Sequence, residues 1–406
     1  MSAISRRALV AGLAAAPLAR PALIRAQSVS APIRIGLLSD VGGTYKDNGG
    51  PGNKVAAEMA VADFGGSLFG RPIAVMQADD QNKPDIASSL ARQWIDTEGV
   101  SLLLDGASSP AALAIQQISR QKKCVYCTTS SIATALVGKP CSPYSFQFFG
   151  NAWSLSKGVA GTLTEQGNKT WFFIAVDNEA GTSLQAGAEQ FVKAGGGTVL
   201  GAARAPVGNA DFSSYLLQAK ASGAKVIGLA NAGADLQNCI KQAAEFGIAK
   251  GGQLLATLLL EINDVLSIGQ EACQGLVLPT SFYWNLSPAT RAWTARYVPK
   301  MNKPPGTGQA CAYSATMHWL KAAKSVNTLD ADVVAARMHN TPLDDFFNKD
   351  VRIMANGTVP HTHYLWIVKP TSETKERWDV FRLIGTLPSP LAFPPPDAFG
   401  CPLAKA

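Results

Sequence analysis

The chain has 406 residues, 47% of them hydrophobic and 16% charged, which is enough for two ordinary domains with a large buried core. Its formal charge is +7, but Arg6, Arg7, Arg20 and Arg25 stand near the start and leave about +3 on the rest. With no basic run interleaved with aromatics, this composition argues against a nucleic-acid partner.

Residues 1–26 read as an export leader. A charged start, Met1 to Arg7, precedes an Ala-rich apolar run from Ala8 to Ala19, too short to anchor in a bilayer. Arg6-Arg7 points to the twin-arginine route. Ile24-Arg25-Ala26 offers a cut before Gln27, and no Cys follows the run to take a lipid. The expected product is a soluble periplasmic protein.

Short apolar runs then alternate with helical patterns. Strands are expected at Ile33–Leu38, Ile73–Ala78, Ser101–Leu104 and Cys124–Thr128. The helices between them are Gly52–Phe64, Pro84–Thr97 and Ser109–Ser119. Apolar strands separated by amphipathic helices imply a parallel sheet in a doubly wound α/β unit. The pattern restarts with strands at Trp171–Val176, Val199–Ala205, Val226–Ala230 and Leu254–Thr257. Helices Gly181–Ala194, Phe212–Ser222 and Ala234–Phe246 lie between these. The stretch Gly275–Thr280 comes next. Helices near Pro288–Tyr297, Gln309–Val326 and Asp330–Met338 follow, then strands at His363–Val368 and Trp378–Ile384 and a Pro-rich tail from Thr386.

Open α/β sheets bind ligands beyond the carboxyl ends of their strands. Those positions hold small hydroxyls, amides and a few carboxylates: Ser39 to Lys46, Asp105 to Pro110, Thr128 to Ser131, Asp177 to Glu179, Asn231 to Gly233 and Thr257 to Glu261. Such groups, with the free N–H groups of helix starts, suit holding a carboxylate better than catalysis. No nucleophile elbow or Walker A loop is present, so no catalytic residue and no cofactor is assigned. His361 and His363 share a strand face but lack a third ligand, so no metal site is expected. Cys124 and Cys127 lie on a strand and face opposite sides, which argues against a redox pair.

Taken in order, several stretches resemble the leucine/isoleucine/valine-binding family of ABC-transporter substrate-binding proteins. They are Arg34 to Asp40, Gly52 to Gly65, Gln81 to Asp85, Lys169 to Phe173, Asp211 to Leu216 and Gln242 to Gly247. The resemblance covers almost all of the chain after the leader. It implies two Rossmann-like lobes joined by a three-segment hinge and closing on a ligand, with no enzymatic activity. The first lobe would comprise 31–150 with 281–356, and the second 151–280 with 357–385. Residues 386–406 would be a tail packed back on the first lobe. The implied partners are a small organic acid or amino acid and the permease subunits of the inner membrane, with the protein itself a monomer.

By the same resemblance Ser108, Ser109 and the Ser130-Ser131 backbone hold a ligand carboxylate, and Asn178, Asn231 and Glu261 contact ligand from the second lobe. Thr129 and Thr257 join the ligand-binding candidates from their places at strand ends. The family's amino-acid binders carry aromatics where this chain has Ala180 and Ala232. Tyr45, Phe282, Tyr283 and Trp284 would supply an apolar wall instead. Two ligand classes remain, an amino acid and a non-amino acid such as an aromatic acid, with the second preferred. Finally, Cys141 and Cys401 sit in Pro-bounded loops of an exported chain and are expected to pair.

Overall fold

The structure is a computed structural model and describes residues 31–405; the leader assigned to residues 1–26 lies outside the described residues. The first sheet contains β1 (Ile33–Ser39), β2 (Ser67–Leu68), β3 (Arg71–Asp79), β4 (Val100–Asp105), β5 (Val125–Thr128) and β6 (Ser145–Gln147) in the order β2-β3-β1-β4-β5-β6. All pairings are parallel except the short β2–β3 hairpin. Helices α1 (Gly50–Phe64), α2 (Pro84–Gln93) and α3 (Ser109–Lys122) connect the strands. Central β1 reads IRIGLLS and is buried almost throughout, as a strand covered on both faces must be. Gly36 in its middle admits the Trp94 ring, which a Cβ there would approach to 2.5 Å.

The second sheet has the order β13-β12-β11-β10-β9-β7-β8. Its strands are β7 (Thr170–Val176), β8 (Thr198–Ala205), β9 (Val226–Ala230), β10 (Leu254–Thr257), β11 (Val277–Thr280), β12 (His363–Val368) and β13 (Phe381–Leu387). The last two run antiparallel to their neighbours. Helices α4 (Ala152–Ser156), α5 (Thr162–Glu165), α6 (Glu179–Ala194), α7 (Ser213–Ala221), α8 (Gly233–Glu245), α9 (Ile262–Ile268) and α10 (Gln270–Cys273) belong to this unit.

Helices α11 (Pro288–Met301), α12 (Thr307–Val326) and α13 (Ala331–Asn340) follow the second unit in sequence but pack on the first. Cys311, Ala315 and Trp319 of α12 share a core with Ile35, Leu102 and Val125. The chain therefore passes between the units after β6, after β11 and before β12. His361 and His363 sit on the third passage. His361 Nε2–H donates to Phe148 O (2.5 Å). His363 Nε2 lies 3.3 Å from Ser154 Oγ. Burial lowers both imidazoles to about 4, so they brace adjoining passages as neutral rings.

Two details depart from the sequence reading. The short strands β2 and β6 carry too little periodicity to be seen. The last strand begins at Phe381 rather than Trp378, because Trp378 has φ +71° and Asp379 N–H closes a turn onto Glu376 O (3.0 Å). The pairing of Cys141 with Cys401 is present, while the other five cysteines are buried thiols. Cys124 and Cys127 enter different cores on opposite sides of the first sheet.

Candidate ligand-binding cleft

The carboxyl ends of the two sheets face one another across an enclosed slot. Tyr45, Asn48, Ala107, Ser109, Ser130 and Ile132 line it from the first unit, and Val176, Ala180, Leu184, Asn231, Ala232 and Leu259 from the second. As the units stand, the free volume of the slot is only about 20 Å³, little more than one water, so a ligand enters only when they part. The units are drawn together here. Ala234 N–H donates to Thr44 O (3.0 Å), Thr307 N–H to Glu261 Oε2 (3.1 Å), and the Thr134 and Ser183 hydroxyls meet at 3.2 Å. Other hollows lie between α12 and α13 and behind the passages, and a more polar one lies between the units beside the slot, lined by Thr44, Lys46, Asp47, Ala234 and Asp235 among others.

In the first unit two buried carboxylates organise the wall. Asp40 ends β1 and accepts from Gly43 N–H (2.5 Å), Tyr45 N–H (2.8 Å) and Asn82 Nδ2 (2.6 Å), which folds the loop and buries Tyr45. Burial raises the Tyr45 hydroxyl pKa, so it stays protonated, and it lies 3.5 Å from Asn178 Nδ2 across the slot. Asp105 ends β4 and accepts from Ser39 Oγ (2.5 Å), Ser130 Oγ (2.7 Å), Gly50 N–H (3.2 Å) and Thr129 Oγ1 (3.3 Å). Burial pushes its pKa up and these donors pull it down.

Helix α3 starts at this wall. Ser108 makes no side-chain cap, and Pro110 has no N–H to offer. Ser109 Oγ lies 3.0 Å from Ser131 Oγ; one donates to the other, which leaves one hydroxyl proton free. In the second unit Asn231 is 1% exposed, and neither end of its amide has a partner among the described residues. A buried amide left this way is costly unless something arrives to satisfy it.

Tyr45, Ser109, Ser130 and Asn231 thus line the slot. Thr129 and Ser131 stand one step behind, bonded to Asp105 and Ser109. Asn178 is chiefly the cap of α6, accepting from Gly181 N–H (3.1 Å). The other assignments need correction. Ser108 Oγ turns to Asn82 O (3.4 Å). Thr257 Oγ1 is spent on Val277 O (2.7 Å), between neighbouring strands. Glu261 is raised to about 7 by burial and meets Thr307 instead of the slot.

Phe282 packs edge-on to Trp293, Phe346 and Phe347. Tyr283 OH donates to Trp378 O (2.9 Å) and accepts from Val380 N–H (3.1 Å), and Trp284 Nε1 also reaches Trp378 O. These three leave β11, which lies beyond β10 beside the antiparallel strands, so the passage carries them into cores rather than over the slot. The residues missed are Asn48, Ile132, Val176 and Leu184, while Ala107 and Leu259 fall within the expected strand-end stretches without having been singled out. Leu184 was readable as one helical turn beyond Ala180, and Val176 as the last residue of a strand. Ile132 lies in a loop and carries no local signal.

Asp80, fully buried beside this wall, gives a pH prediction. Burial, then the nearby Asp105, Asp40 and Asp79 carboxylates, raise it to about 7, against one N–H from Asn82. The folded state then holds a proton that the unfolded state releases near pH 4, so its contribution falls as pH rises from about 4 to about 7. Asp80→Asn should raise stability by a few kcal/mol at most at pH 8 and by nothing at pH 4. Urea melts at both values measure this, and equal shifts at both would remove Asp80 as the cause.

The sequence profile described as Periplasmic binding protein matches residues 32–375. A periplasmic binding protein from Burkholderia mallei is 44% identical and superposes with a TM-score of 0.87, covering 90% of this chain and 96% of that one. A branched chain amino acid ABC transporter periplasmic ligand-binding protein from Burkholderia xenovorans is 35% identical, with a TM-score of 0.81 over 92% and 100%. Leu/Ile/Val-binding protein homolog 6 of Brucella melitensis is 24% identical over 259 residues, 63% of this chain and 65% of that protein, so the match spans less than two thirds of that relative. With two α/β units facing each other across a slot at their strand ends, and a profile match running from the first strand to beyond the third passage, this chain belongs to the periplasmic binding protein family.

Proposed function

We propose that the chain is the solute-binding component of an ABC importer. Exported by its twin-arginine leader, it captures a small organic carboxylate as a monomer and delivers it to the permease subunits. The observation that carries the ligand class is the slot's chemistry. Its lining residues include no Asp, Glu, Lys, Arg or His, and most are apolar. An ammonium group would meet no charged side chain in that lining, only the Asp105 carboxylate behind Ser130 and already holding four donors, whereas a carboxylate suits the uncapped start of α3 beside Ser109. Asp105 behind Ser130 disfavours an anion at that end of the wall. The aliphatic residues and Tyr45 suit a ring, so an aromatic acid is preferred. Tyr45, Ser109, Ser130 and Asn231 are the proposed contacts, with Thr129, Ser131 and Asn178 supporting them. A branched-chain amino acid is the second reading, favoured by the description of the Burkholderia xenovorans protein.

Calorimetry with benzoate, benzamide and L-leucine tests this. Benzoate should bind. Benzamide should bind tenfold to a hundredfold more weakly, the value of a hydrogen bond to a charged group at about 1.5–3 kcal/mol. Ser109→Ala should narrow that gap. Equal binding of acid and amide would end the carboxylate reading, and binding of L-leucine alone would install the second.

A further inference from the structure

The tail after β13 makes a fourth passage between the units, anchored step by step. It leaves the second unit at Leu387. Ser389 Oγ donates to Pro360 O (2.6 Å) on the third passage, and Lys157 Nζ of the second unit reaches Leu391 O. The Phe393 ring stands edge-on to His363, centroids 5.2 Å apart. Asn356 of the first unit then donates to Pro396 O (3.0 Å), and Cys401 is bonded to Cys141 of the first unit. Between the last anchor on the second unit and the first anchor on the first runs Pro394-Pro395-Pro396. Three prolines fix three φ angles, and the residue before them, Phe393, is extended (φ −124°, ψ 151°), as proline demands of its predecessor. Two turns, Ala398 N–H to Pro395 O (3.0 Å) and Gly400 N–H to Asp397 O (2.8 Å), then shorten the remaining path to the disulfide.

We propose that this tail is a strut that limits how far the two units swing apart. A hinge of three peptide segments is free to open until something stops it. A short, proline-stiffened segment fixed at both ends, covalently at one, is such a stop. It keeps the ligand-free protein near the closed geometry and so lowers the cost of closure on ligand.

Spin labels at Lys83→Cys and Lys241→Cys, one exposed residue on each unit, report the opening without any ligand. The five other thiols are buried. Pulsed dipolar spectroscopy on the ligand-free protein should give one narrow distance distribution. The distribution should broaden and move outward by several ångström in two variants. One carries Cys141→Ser with Cys401→Ser. The other carries Pro394→Gly, Pro395→Gly and Pro396→Gly and keeps the disulfide. Thermal melts establish that each is folded; if the serine variant does not fold, the glycine variant decides. A distribution that superposes on the parent in either folded variant overturns the proposal.

Discussion

Gly233→Ala should weaken ligand binding by about a hundredfold while both units stay folded. Gly233 opens α8 with φ +57°, and a Cβ there would stand 2.2 Å from Thr44 O of the other unit. The adjoining Ala234 N–H makes its bond to that same oxygen. Two costs must be separated. The left-handed backbone strains alanine by roughly 1–2 kcal/mol whether the units are open or closed. The clash, and the loss of the Ala234–Thr44 bond, act only on closure. Together these closure terms are worth about 3 kcal/mol, or roughly a hundredfold in affinity. Gly247→Ala is the control, since it has φ +64° and no atom within 4 Å of its would-be Cβ. It should lose similar thermal stability and bind benzoate as the parent does. Calorimetry on both variants decides the matter; equal affinities would take Gly233 out of closure.

Asp105→Ala should cost about 3–5 kcal/mol of stability and lower the melting temperature by about 10 °C. The carboxylate is buried, and four donors converge on it from β1, the start of α1 and the loop after β5. Removing it takes the acceptor from Ser39, Thr129 and Gly50, while Ser130 Oγ still has Asn48 O at 3.1 Å, and unmet buried donors are the costly way to break a network. Alanine would also inherit φ +79°, which Asp and Asn tolerate better. Asp105→Asn keeps the shape and one acceptor oxygen, so its loss should be smaller by half or more. Calorimetric melts of the two variants measure the difference. A shift of only a degree or two for Asp105→Ala would mean that the hub does not hold the wall together.

These two residues also mark how far the sequence could be read. Alternating strands and helices were legible because burial periodicity is local: IRIGLLS at β1 and WFFIAV in β7 announce covered strands by composition alone. Tyr45, Ser109, Ser130 and Asn231 were legible as slot residues because doubly wound sheets open at their strand ends. That Asp105 is a four-donor hub was not legible, since its partners come from 55 to 66 residues earlier and from 24 and 25 residues later.

Phe282, Tyr283 and Trp284 show the limit most plainly. Three aromatics after a strand looked like a cleft wall, but Phe346 and Phe347 occupy Phe282, and Trp378 and Val380 occupy the other two. By itself the sequence determined the export leader as an expectation, the two α/β units and the polar strand ends. Only the tertiary structure decided which side chains face the slot, which are spent on neighbouring strands, and where the tail is anchored on its way back to the first unit. The physical reason is that secondary structure follows from each residue's near neighbours. Occupancy of a side chain depends instead on whichever distant segment packs against it first, and local periodicity does not encode that.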